Sequence, residues 1–284
     1  MDFRLESFVC LCETMNYRAA AERLNITQPA VSQHIRALEQ YYGCRLFIYD
    51  RRKLTMTAQA EQLLRYARSL MYQEKKLKER LCADSVRRLR IGATKTIGEY
   101  VIRRQVEKIL EMPEYRLELE IDNTVNILRH IDEGKLDFAL VEGYFDRSAY
   151  AYRLYRREPF VGLCGATHPF AGRRVDVEEL WAERLIVREK DSGTRSILEK
   201  MLEGENRSLD DFASVNSISN FGLLCHLVAR GLGISFAYRA VVEENAGLSS
   251  FLVDGWDISR EFNYVFLPDT DAEKDVEFFD SLAF

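Results

Sequence analysis

Gln28, Ser32, Gln33 and Arg36 fall on one face if residues 28–36 are helical, and all four are uncharged or basic with hydrogen-bonding tips. Such tips suit base edges and phosphates, although a plain solvated face would look the same. The basic turn Arg51-Arg52-Lys53 offers contacts to a phosphate backbone. A third group of polar residues stands where helices are expected to begin: Thr94-Lys-Thr96, Asn123-Thr124 and Asp191-Ser-Gly-Thr194. Free N–H groups and a positive dipole end at such places suit a carboxylate, sulfate or phosphate, and each alone serves equally as an N-cap. For catalysis or metal binding the sequence offers no candidate residues. His130, His168 and His226 are dispersed, Cys164-x-x-x-His168 supplies at most two ligands, and no nucleophile elbow, phosphate loop or paired-carboxylate motif occurs.

The elements that would position these residues begin with short helices. Apolar residues recur at helical spacing in Leu5, Phe8, Val9 and Leu11, then in Ala20, Ala21 and Leu24. Asn25-Ile26-Thr27 closes the second helix and opens a third, with Thr27 as N-cap and Pro29 in the first turn, where a missing N–H costs nothing. The third helix buries Val31, Ile35, Leu38 and Tyr42 and stops at Gly43. Arg45–Tyr49 and Leu54–Thr57 read as two short strands around the basic turn, a wing. A long helix follows from Ala58 to about Leu81, with Leu63, Ala67, Leu70, Leu77 and Leu81 as a stripe that wants a partner helix, or else packing on its own domain.

Beyond Ser85-Val-Arg-Arg the pattern changes to strands alternating with helices, which argues for βα units and mainly parallel sheets. Strands are expected at 89–93, 117–121, 138–141, 160–164, 185–187, 233–237 and 264–267, and helices at 97–110, 125–133, 196–202 and 218–229.

Charge separates the two parts. Residues 1–88 carry 16 Lys and Arg against 10 Asp and Glu, a net of +6; the remainder carries 24 against 35, a net of −11. A polyanion partner is therefore expected for the front part alone. The 284 residues are long enough for two domains and a connector, and no apolar run approaches the roughly 18 residues of a membrane helix. The N-terminus lacks the basic-then-apolar character of a signal peptide, so the chain is expected in the cytoplasm with its six scattered cysteines reduced and mostly buried.

Taken together, Leu5-x-x-Phe8, Ala19-Ala-Ala-Glu-Arg-Leu24, Thr27-Gln-Pro-Ala-Val-Ser32, Ile35-x-x-Leu38-Glu, Gly43-x-x-Leu46-Phe and Leu54–Thr57 resemble the DNA-binding domain of LysR-type transcriptional regulators. Leu89-Arg-Ile-Gly-Ala, Gly134-Lys-Leu-Asp137, His168-Pro169 and Ala229-Arg-Gly-Leu-Gly-Ile234 look like that family's effector domain, so the resemblance spans the chain. Tyr49, where the family usually has Arg, and Ala60, where Gly is common, depart from the pattern. Thr94-x-Thr-Ile-Gly98 and Ser192-Gly-Thr-Arg195 look like segments of members linked to sulfur assimilation.

The resemblance implies a mainly α winged helix-turn-helix over 1–58, a dimerising linker helix and hinge over 59–88, and a periplasmic-binding-protein-like α/β effector domain over 89–284. The chain would cross between two lobes near Leu163 and near Tyr264–Leu267, with lobe one about 89–162 plus 268–284 and lobe two about 163–267. Thr27, Gln28, Pro29, Ser32, Gln33, Arg36, Arg51, Arg52 and Lys53 would contact double-stranded DNA. Thr94, Thr96, Thr124, Ser192, Gly193 and Thr194 would hold a small effector, expected to be an anion bound by local N–H groups and hydroxyls because the domain's net charge is unfavourable. No cofactor or metal is implied, and the partners are DNA, the effector and a second copy, with a further step to tetramers. A cytoplasmic solute receptor and a small-molecule enzyme are the competing classes.

Overall fold

The computed structural model describes residues 2–50, 53–82, 86–143, 145–190 and 192–283. Helices α1 (Phe3–Thr14), α2 (Tyr17–Leu24) and α3 (Gln28–Tyr42) come first, then the strands β1 (Phe47–Asp50) and β2 (Lys53–Met56), and then the long helix α4 (Ala58–Cys82). Local chemistry sets their limits. Asn16 caps α2 by accepting from Arg18 N and Ala19 N, and Asn25 ends that helix in the left-handed region at φ 54°. Thr27 Oγ1 accepts from Ala30 N, Pro29 sits in the first turn of α3, and Gly43 closes it at φ 66°. Thr57 Oγ1 accepts from Ala60 N at the start of α4.

Val31, Ile35 and Leu38 of α3 pack against Phe8, Leu11 and Ala20, with Leu63, Leu64 and Ala67 of α4 closing the same core. Each large apolar side chain so buried contributes about 1.5–3 kcal/mol. Tyr42, expected in the buried stripe, is instead 42% exposed, because α3 outruns the small core beneath it. The wing strands pair antiparallel, Phe47 opposite Met56 through Asp50 opposite Lys53. Arg51 and Arg52 lie outside the described residues.

The second part runs β3 (Arg87–Thr94), α5 (Arg103–Leu110), β4 (Tyr115–Asp122), α6 (Thr124–Asp132), β5 (Phe138–Glu142), β6 (Ala151–Gly165), β7 (Arg174–Val175), α7 (Val177–Leu180), β8 (Arg184–Val187), α8 (Gly193–Gly204), β9 (Ser214–Ser217), α9 (Phe221–Ala229), β10 (Ser235–Tyr238), α10 (Arg239–Glu243), β11 (Leu248–Val253), β12 (Ser259–Phe266) and α11 (Ala272–Ser281). Among the described residues an eight-stranded sheet carries the order β4-β3-β5-β12-β6-β11-β7, with β10 also on β6, while β8 and β9 pair separately.

The expectation of mainly parallel sheets needs correction. Among the described strands β3 with β4, β3 with β5, β8 with β9 and β11 with β7 run parallel, whereas β12 is antiparallel to both β5 and β6, and β10 and β11 are antiparallel to β6. The physical reason is that β6 and β12 are long antiparallel partners, which βα periodicity does not reveal. On β6 the partner changes at Pro159/Phe160: Pro159 faces Ser259 of β12, and Phe160 faces Tyr238 of β10.

A second difference concerns 97–110, read as one helix. Ile97–Val101 forms a π turn, with Ile102 N donating to Ile97 O, and α5 starts only at Arg103. Gly98 permits this close approach, since a Cβ there would stand 2.6 Å from Ile121 Cγ1.

Helix α4 divides its faces. Leu63 and Ala67 are used up in the first core, Tyr72 and Lys76 are buried against the second part, and Leu77 and Leu81 stay exposed. The continuous seam read from the sequence is therefore shortened, because a helix joining two bodies must spend part of each turn on each.

Candidate functional site

The first candidate surface is α3. Thr27, Gln28, Pro29, Gln33 and Arg36 are exposed and Ser32 is half-buried, on the side opposite Val31, Ile35 and Leu38. Gln28 Nε2 donates to Ser32 Oγ at 3.2 Å, which orients two of the polar tips together. Lys53 is exposed at the first position of β2.

The second is a cavity of about 960 Å³ in the α/β part, where Thr94, Thr96, Thr124, Ser192, Gly193 and Thr194 all come together. The strands β3 and β5 end there, at Thr94 and Glu142, and the helices α6 and α8 begin there. Asn123 caps α6 by accepting from Asn126 N. At the start of α8, Ser192 Oγ and Thr194 Oγ1 bond each other at 2.9 Å, and Ser192 makes no side-chain cap bond. Thr124 Oγ1 donates to Glu142 O at 3.4 Å, and Thr96 Oγ1 to Glu142 Oε1 at 3.4 Å. Asp191, named with the third helix start, lies outside the described residues.

The charge of this cavity corrects the expectation that only N–H groups and hydroxyls could receive an anion. Lys95, Arg147, Arg157, Arg188, Lys200 and Arg260 line it against Asp122, Glu142, Glu189 and Glu261, a local excess of positive charge inside an acidic domain. Net charge is a mean over a surface, whereas a cleft responds to what lines it. Arg188 is 5% exposed, forks onto Glu189 at 2.8 and 2.9 Å, and lies over the Phe221 ring. Burial is the largest single effect on the Glu189 carboxyl and would raise it, but the Arg188 hydrogen bonds, a backbone hydrogen bond and the charges of Arg188 and Lys95 together hold it down to about 2. Burial wins at Glu142, whose carboxyl is pushed up to about 7 against the smaller opposing effects of Thr96 and Arg188.

Glu142, Arg188, Arg260 and Asn263 were not singled out from the sequence. Glu142 carried a usable signal, as the polar residue closing the apolar run Phe138–Val141 at a strand's C-terminal end, where α/β ligand sites sit. Arg260 and Asn263 carried none, because they lie on the half of β12 that periodicity left unassigned.

Two family models match this chain: residues 3–61 match "Bacterial regulatory helix-turn-helix protein, lysR family", and residues 83–282 match "LysR substrate binding domain". The chain belongs to the LysR family of transcriptional regulators. As a LysR-type regulator it is a DNA-binding protein with an effector-binding domain. Among its relatives, the HTH-type transcriptional regulator CysL of Bacillus subtilis is 26% identical over 97% of this chain and 94% of that one. The uncharacterized regulator YeiE of Escherichia coli is 28% identical over 85% and 81%. A full-length OxyR variant from Pseudomonas aeruginosa shares the fold at a TM-score of 0.61 with 21% identity, covering 99% of this chain and 93% of that one. The regulatory domain of Synechocystis CcmR, solved in complex with 2-PG, superposes at 0.58 with 20% identity over 69% and 97%. Among the described residues no helix is long and apolar enough to cross a membrane, and no cluster of His, Cys, Asp and Glu could hold a metal ion.

Proposed function

We propose that a small anion in the 960 Å³ cavity controls how this LysR-type regulator holds its α3 helices on DNA. Thr94, Thr96, Thr124, Ser192, Gly193 and Thr194 receive the anion. Thr27, Gln28, Pro29, Ser32, Gln33 and Arg36 meet a major groove, with Arg51, Arg52 and Lys53 on the backbone. The limits 1–58, 59–88 and 89–284 serve as working domains, and the partner change on β6 at Pro159/Phe160 supports a crossing between lobes near that point. The protein acts in the cytoplasm as a dimer or tetramer and catalyses no reaction.

The observation that carries this reading is the meeting of β3, α6 and α8 at one basic-lined cavity through the hydroxyl residues at their ends. A binding-protein architecture turns such a meeting into a switch when ligand favours one lobe arrangement, since a ligand with equal affinity for both shifts nothing. Thermal-shift screening of the full chain against sulfate, thiosulfate, O-acetylserine and common metabolic acids tests it. A stabilising anion should lose affinity with Thr96→Val and with Thr194→Val; affinity untouched by both would return these residues to plain capping roles.

A further inference from the structure

Buried polar atoms in folded proteins nearly always have partners, so a group of orphans facing one space describes what fills it. Among the described residues four such atoms belong to side chains of residues that line this cavity: Thr94 Oγ1, Glu142 Oε2, Arg260 Nε and Asn263 Oδ1. Thr94 and Asn263 are 3% and 2% exposed. Asn263 Nδ2 donates to Glu261 O at 3.4 Å; the reversed amide would set oxygen against oxygen, so Oδ1 is the open atom. Arg260 Nε is a donor only, Asn263 Oδ1 an acceptor only, and the Thr94 hydroxyl can be either.

Taking the cavity as the effector site, we infer that the effector is not a bare oxyanion but also carries a hydrogen-bond donor, an ammonium or a hydroxyl, set against Glu142 Oε2 and Asn263 Oδ1. Sulfate or a simple carboxylate brings acceptors alone. Where Glu142 is ionised, such an anion can meet Arg260 and Thr94 but leaves two buried acceptors empty, one of them a carboxylate beside the ligand's own negative charge. An amino acid or hydroxy acid satisfies both sets. A site built to bond such a group discriminates strongly against the analogue lacking it. Burial holds the Glu142 carboxyl up to about 7, so at pH 8 it is ionised and can only accept.

The test is titration calorimetry on the full chain at pH 8 with two matched sets: propionate, lactate and alanine, then glutarate, 2-hydroxyglutarate and glutamate, with sulfate beside them. In at least one set the hydroxylated or aminated member should bind ten-fold or more tightly than the plain acid, and the better of the two names the donor. Glu142→Gln and Asn263→Leu should each shrink that preference several-fold, the pair being used so that one misfolded variant leaves the other readable. Plain acids or sulfate binding as tightly as the donor-bearing probes, or a preference unchanged in both variants, would overturn the inference while leaving the cavity as an anion site. No binding by any probe, or binding untouched by Thr96→Val and Thr194→Val, would overturn the effector-site reading and this inference with it.

Discussion

At the scale of single residues, Glu142 and Gln33 illustrate opposite relations between a side chain and its surroundings. The Glu142 carboxyl goes from an ordinary value of 4.5 to about 7 because burial penalises its charge. Between those pH values the folded chain keeps a proton that the unfolded chain has lost, so this residue's contribution to stability falls as pH rises through the window and the full penalty stands above about 7. In the ligand-free protein Glu142→Gln should therefore raise stability by up to about 3 kcal/mol at pH 8 and by under about 1 kcal/mol at pH 5, read from denaturant midpoints. An equal change at both pH values would mean that the carboxyl is not desolvated. Gln33 is exposed. Gln33→Ala should cost about 1–3 kcal/mol on the specific operator and little on random DNA, whereas Lys53→Ala should weaken both and reduce the salt slope by about 1. Mobility-shift titrations at several salt concentrations separate the two behaviours.

At the scale of elements, three rods connect the cavity to α4. Strand β3 reaches the cavity at Thr94 and holds Arg90 against Asp137, which opens the way into β5; β5 ends at Glu142; and α6 runs from Thr124 at the cavity to Asp132. At the far ends Asp137, 1% exposed, gathers Lys76 Nζ at 2.8 Å, Arg90 Nη2 at 3.1 Å and Tyr72 Oη at 3.2 Å, while Asp132 meets Arg68 at 2.9 Å and Gly134 O accepts from Lys75 Nζ at 2.7 Å. Lys76, Tyr72, Arg68 and Lys75 all belong to α4. Asp137→Ala would remove the carboxylate that two buried cations share, leaving Lys76 with Asp275 at 3.7 Å and Arg90 with Glu79 at 3.0 Å, so it should cost about 2–4 kcal/mol in denaturant unfolding, more than an exposed ion pair such as Arg18–Glu22 is worth. A cost below about 1 kcal/mol would show that α4 does not depend on this cluster.

For the whole molecule, the question is what covers the rest of α4. Tyr66, Leu77 and Leu81 are 58%, 54% and 77% exposed, an apolar line on the helix that joins the two parts. A second copy of the same helix would cover it and set two α3 helices in two-fold relation, matching a dyad-like operator. Leu77→Asp with Leu81→Asp would bury charge in such a seam, so the double variant should sediment as a smaller species than the parent and bind a full operator more weakly. Unchanged sedimentation would remove α4 from the interface. The choice of Leu77 and Leu81 over Leu63 and Ala67 comes from the structure, since the latter pair is already spent inside the chain's own core.

What the sequence by itself determined is the local chemistry: the caps at Thr27 and Asn25, the stop at Gly43, the wing, the length of α4, and the hydroxyl residues where helices α6 and α8 begin. These follow from interactions within a few residues, which spacing and residue type encode directly. Only the tertiary structure decided which of those residues share a space with Glu142, Arg260 and Asn263, that β6 and β12 run antiparallel through the α/β part, and that half of the α4 stripe is used at home. Those outcomes depend on pairing between segments about a hundred residues apart, such as Ser259 with Pro159, and on burial that a linear pattern does not specify. The charge of the cavity belongs with them: an acidic domain acquired a basic-lined cleft because folding, not composition, chose which side chains face inward.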